Sequence, residues 1–158
     1  MKSIYLITLG FVTFAVLMAA CSAAPGVAKI NVDSNGLAVK GYDAVEFFTG
    51  NAAVQGNLTF EYAWNGAKWV FSTAENLVRF KANPEAYAPQ FGGYCSYAVS
   101  QGYTADGDPN QWKIVDGKLY LNYNQRVKDA WEKEQEKYIE DGKANWAEFQ
   151  KKKPEHKG

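Results

Sequence analysis

Phe60-Glu61-Tyr62-Ala63-Trp64-Asn65-Gly66-Ala67-Lys68-Trp69-Val70-Phe71 is the stretch from which the fold can be read. Asn-Gly between two runs of alternating aromatic residues is the strongest short-range signal of a β-hairpin, because both central turn positions need positive φ. A two-residue turn pairs Trp64 with Ala67, Tyr62 with Trp69 and Phe60 with Phe71. Those five aromatic side chains then share one face and can anchor a core.

Ser72-Thr73-Ala74-Glu75 follows directly as a capping-box pattern, with Ser72 as N-cap and Glu75 reaching back. The predicted helix runs to about Ala82 with Leu77, Val78 and Phe80 available for burial. Asn83-Pro84 closes it, since the residue before a proline is pushed out of helical geometry, and Pro84–Tyr87 starts a further turn. A second hairpin reads Trp112-Lys113-Ile114-Val115, Asp116-Gly117, Lys118-Leu119-Tyr120-Leu121, with Trp112 and Ile114 facing Leu119 and Leu121. Beyond Asn124, Val127, Ala130, Trp131, Tyr138 and Ile139 recur at helical spacing in a charged segment. Asp129 and Lys133 are set to pair, and Gly142 is the expected helix end, with a last turn around Trp146. The two hairpins share no residue pattern that reads as an internal repeat. The expectation is a small single α+β domain with two β-hairpins, a central helix, a Gly-rich Tyr-Cys-Ser segment and a C-terminal helical region.

Length and charge agree with one domain. The chain has 158 residues, 17 basic against 17 acidic, one His and two Cys. Zero net charge argues against nucleic acid as partner, because phosphate binding needs a positive excess. Residues 1–20 carry Lys2 and then an apolar run, the pattern of a signal peptide. Leu17-Met18-Ala19-Ala20-Cys21 resembles a bacterial lipobox, with Met18 where such boxes usually carry Leu. Cys21 is thus the expected lipidation site and the membrane the expected partner, an ordinary secretory signal cut near Ala23 being the alternative. Residues 21–34 read as a tether, 35–150 as the domain and 151–158 as a charged tail. Without residues 1–20 the chain keeps 16 basic and 17 acidic groups.

Trp69–Ser72, Glu75-Asn76, Phe80 and Asn83-Pro84-Glu85-Ala86-Tyr87 lead into Gly92-Gly93-Tyr94-Cys95-Ser96-Tyr97-Ala98-Val99. Together these resemble the YHS domain, named for a Tyr-His-Ser tripeptide. Gly41-Tyr42-Asp43-Ala44-Val45 resembles the Gly-Tyr-Asp-Pro-Val start of exported members. Asp108-Pro109, Trp112, Asp116–Asn122 and Asn145-Trp146 continue the likeness. The tripeptide here is Tyr94-Cys95-Ser96, with Cys95 in the place of His. The resemblance implies a periplasmic or membrane-anchored binding module of the cell envelope, associated with metals, and Cys in place of His turns the preference toward Cu(I) or Zn. Cys95, Tyr94 and Ser96 are the ligand candidates, followed by Asp43 and Tyr42.

Three readings of Cys95 stand side by side. It is a ligand for a soft metal or metal cofactor, a redox thiol without a resolving partner, or a small buried hydrophobe in a structural or interaction module. In the first turn of a helix its thiolate would be favoured by unpaired N–H groups. Against a closed metal site stands the donor count: the only His, His156, is in the tail, and no Met follows Met18. Asp106-Gly107-Asp108 reads as a turn. Glu132, Glu136 and Glu140 read as a solvated helix face. Tyr42, Tyr62, Trp64, Trp69, Tyr94 and Tyr97 read as core that could also line a pocket. No motif of an enzyme is present.

Overall fold

The computed structural model describes residues 26–151; the apolar run expected to be a signal peptide, Cys21 and His156 lie outside them. Helix α1 spans Glu46–Thr49, strands β1 and β2 Asn57–Trp64 and Ala67–Phe71, α2 Ala74–Ala82 and α3 Pro84–Tyr87. Then come α4 (Ser96–Ser100), β3 (Asp108–Val115), β4 (Lys118–Asn122), α5 (Gln125–Lys133) and α6 (Gln135–Lys151). The sheets are two separate antiparallel hairpins, so the α+β expectation holds. Among the described residues no helix is long and apolar enough to cross a membrane.

Both hairpin tips form as read, with Asn65-Gly66 and Asp116-Gly117 all at positive φ. Trp64 pairs with Ala67 and Tyr62 with Trp69, but Phe71 pairs with Asn57 rather than Phe60. The cause is local: the Asn57 side chain accepts the Thr59 N–H at 2.8 Å, a side-chain turn that lifts the strand out of register. Thr73, not Ser72, caps α2, its hydroxyl accepting the Asn76 N–H at 3.1 Å. Glu75 pairs with Arg79 instead of reaching back. Val78 is 64% exposed, because the buried face of α2 is set by Asn76 and Phe80, each two residues away and so on the other side.

The C-terminal region differs more. Asp129 accepts from Gln125 at 2.7 Å rather than pairing with Lys133. The helix breaks at Glu134, where φ is −132° and ψ 44°, and this turn lets Trp131 and Ile139 enter the same core. Gly142 does not end a helix; it lies inside α6 against Phe91, where a Cβ would sit 2.7 Å from the ring. The domain also begins before residue 35. Ile30 is buried, the Asn31 N–H bonds the Gly92 carbonyl at 2.8 Å, and Val32 bridges to Ala38.

A repeat that the residues alone conceal is plain in the geometry. From Asn57 to Pro84, each landmark returns 51 positions later. β1 and β3 have eight residues each, and both slip register just after an Asx side chain, Asn57 or Asp108, that accepts the N–H two residues on at 2.8 Å. α2 and α5 have nine residues each, capped by Thr73 and Asn124, and each is broken one residue later. Phe80 lies 4.7 Å from Trp69, and their counterparts Trp131 and Tyr120 lie 5.5 Å apart at a similar tilt. Upstream, Val39-Lys40-Gly41 and Phe91-Gly92-Gly93 are all at positive φ, each run preceding a Tyr and a short helix. Within the described residues one structural unit is used twice.

The cores follow from this. Leu119 and Leu121 of β4 join Phe47, Trp69, Phe71 and Phe80, while Tyr120, facing the other way, joins Phe91, Val99, Trp131 and Ile139. Alternation along one strand thus feeds two cores.

Candidate functional site

The duplication puts the candidate residues in two equivalent places. In the first unit, the turn at Val39–Gly41 delivers Tyr42 and Asp43 to the start of α1. In the second, the turn at Gln90–Gly93 delivers Tyr94, Cys95 and Ser96 to the start of α4. The structure does not merge these into one site. Asp43 is tied to α1 and α2, Cys95 to β4, and they share no hydrogen-bond partner.

Asp43 is fully buried. Its Oδ1 accepts the Val45 N–H at 2.9 Å. Its Oδ2 accepts the Ser72 N–H and hydroxyl, both at 2.7 Å, and the Asn76 amide at 2.8 Å. The same Asn76 amide donates to Glu46 Oε1 at 2.7 Å. Ser72, displaced from the capping role, and Asn76 therefore clamp the carboxylate that joins α1 to α2. Tyr42 is half-buried at the edge of the first core, and its backbone bridges to Gln55.

Cys95 is 1% exposed and precedes α4 as its N-cap. Its thiol donates to Asn122 Oδ1 at 3.8 Å, and that oxygen also accepts the Tyr97 N–H at 3.2 Å. Burial pushes the thiol above its ordinary value, against the backbone N–H groups of Ala98, Tyr123 and Tyr97, which pull it down. The expected thiolate at a helix start is thereby corrected: α4 has five residues, and desolvation outweighs its N–H groups. Ser96 is fully buried beside it. Ser96 Oγ and Asn122 Nδ2 have no hydrogen-bond partner among the described residues. Tyr94 is half-buried against Trp146, its ring 5.9 Å away. Burial first and Asp106 second raise its hydroxyl above the ordinary range.

A soft metal, implied by the resemblance, would need a donor set that these residues do not supply. Among the described residues no three His, Cys, Asp or Glu side chains converge to hold an ion. Both Asp43 oxygens are occupied by donors, and the Cys95 thiol is buried and turned to Asn122 Oδ1. The residues do not fit a Cu or Zn centre. Glu132, read as solvated, pairs with Lys113 at 3.2 Å, and Asp106 accepts from Asn31 at 3.2 Å.

Sequence reasoning did not find Ser72, Asn76 and Glu46 as partners of Asp43, nor Asn122 as the partner of Cys95. The recurrence of Gly-Tyr at 41–42 and 93–94 was the available signal. Compared with known proteins, the chain matches no family model, no curated protein and no solved structure.

Proposed function

We propose that the protein is an exported, lipid-anchored module of the YHS type that works in the cell envelope by binding or scaffolding rather than catalysis, with Cys95 as a packing thiol. The observation that carries the reading of Cys95 is its burial together with its equivalence to Asp43. Both positions fasten a turn to the element that follows, one through a carboxylate and one through a thiol on Asn122. Export and anchoring are supported by the apolar run before Cys21 and the lipobox-like Leu17–Cys21.

Two measurements test this. Cys21→Ala should move the protein from the detergent to the aqueous phase on partitioning, and unchanged partitioning overturns the anchor. The Cys95 thiol should react with a disulfide reagent only in denaturant, and Cys95→Ser should leave Cu(I) and Zn titrations unchanged. A fast-reacting native thiol, or stoichiometric metal lost in Cys95→Ser, overturns the packing role.

A further inference from the structure

A cleft of about 340 Å³ opens between the two units. It is lined by the half-buried indoles of Trp64, at the tip of the first hairpin, and Trp146, on α6, together with the polar side chains of Asn65, Glu85 and Lys143, all exposed. Its size is that of a small-ligand site, and a boundary between units is where such sites occur.

The second unit supplies an internal comparison. At the tip of its own hairpin and the start of its own second helix lies the equivalent cleft, of about 470 Å³. There Glu136 matches Glu85 and Asp116 matches Asn65, but Val115 stands where the first unit has Trp64, and Glu140 where it has Pro89. The second hairpin closes its turn, and the helix after it forms and breaks on schedule, with Val at that place. In the first unit the indole of Trp64 packs on Trp69 and Phe80, at 5.7 and 5.8 Å, so it serves the core as well as the cleft wall. Trp146 lies beyond the last residue that has a counterpart in the first unit's α3. The two indole walls belong to the first cleft; the second has Tyr120 as its aromatic lining residue.

We propose that this inter-unit cleft is a saccharide-binding site. A sugar ring has an apolar C–H face that packs on an indole and a rim of hydroxyls that both donate and accept. Asn65 offers both, Glu85 accepts, and Lys143, shared with the second cleft and paired with Glu140 at 2.6 Å, has further N–H groups to donate, so the lining matches both aspects of the ring. A purely apolar ligand such as an acyl chain would cover these polar ends without satisfying them. The proposal depends neither on the lipid anchor nor on the role of Cys95.

The test is titration of the purified protein with chitotriose, cellotriose and maltotriose, followed by tryptophan fluorescence and calorimetry. At least one sugar should give a saturable signal with a dissociation constant of about 1 mM or tighter. Trp64→Val, the residue the second unit already carries, should weaken that binding at least tenfold; because Trp64 also packs on Trp69 and Phe80, the comparison is made at a temperature where circular dichroism shows the variant folded. Glu85→Gln, a surface change, should weaken it several-fold. Cys95→Ser should leave it unchanged. No saturable signal with any of the three sugars at about 20 mM, or affinity unaltered in both Trp64→Val and Glu85→Gln, overturns the proposal. So does saturable binding of an oligoproline peptide with none of the sugars.

Discussion

Asp43 and Cys95 hold corresponding places in the two units: each follows a Gly-Tyr pair, and each donates its backbone N–H at 2.8 Å to a carbonyl just before the coming hairpin, that of Val54 or of Ala105. One backbone position thus carries two chemistries. The first unit closes it with an anion and a full set of donors. The second closes it with a thiol, one amide oxygen and two unmatched polar atoms nearby.

The anion is the costlier one to remove. In Asp43→Ala the Ser72 N–H loses its acceptor in a part-buried setting, the Ser72 hydroxyl keeps only a long contact to Glu46 at 3.4 Å, and the buried Asn76 amide keeps only Glu46 and a long contact to Ser72. A loss of about 3 kcal/mol is expected from these orphaned donors, read from the urea midpoint. A change under about 1 kcal/mol would mean that the network contributes little.

The thiol makes stability pH-dependent on the alkaline side. Burial raises Cys95 above its ordinary 9.0, and Tyr94 and Tyr120 above 10.0. A group raised in the folded state contributes fully below its unfolded value, and that contribution is lost as pH rises through the folded one. Stability should therefore fall from about pH 9 upward, by at most about 1.4 kcal/mol per pH unit for each group. Denaturation of Cys95→Ser between pH 8 and 10 should give a shallower first part of that fall. An identical slope would show that the thiol ionises alike in both states.

Gly142→Ala sets two effects against each other. In an exposed helix the change gains about 1 kcal/mol. Here the new Cβ meets Phe91 Cζ at 2.7 Å and Cε2 at 2.9 Å in the second core, and overpacking costs about 1–3 kcal/mol. Net destabilisation is expected, and Phe91→Leu in the same chain should recover part of it. A more stable single variant would mean that the ring moves aside freely.

What could be read from the residues was local. Asn65-Gly66 and Asp116-Gly117 specify their own turns, and Asn83-Pro84 stops α2 with no help from elsewhere. Gly142, a local signal too, does not end its helix, because its space belongs to Phe91, a residue far away in the chain. Ser72 was drawn from a capping role by Asp43, 29 positions earlier, and the setting of Cys95 depends on Asn122, 27 positions later. The duplication was hidden for a related reason. It is kept as turns, caps and breaks, while few identities survive beyond Gly-Tyr, Gly56 with Gly107, Glu85 with Glu136 and Tyr87 with Tyr138. Backbone geometry tolerates Trp, Val, Phe or Tyr at matched places, so the pattern persists where the letters do not.

Because β4 gives Leu119 and Leu121 to one core and Tyr120 to the other, the two units are not free to come apart in turn. Opening either core strips one face of the same strand, and the other face then has no backing. Heat or urea should take the molecule apart in a single cooperative transition despite its two-unit build. The amide protons of Leu119, Tyr120 and Leu121 should exchange only when the whole molecule opens.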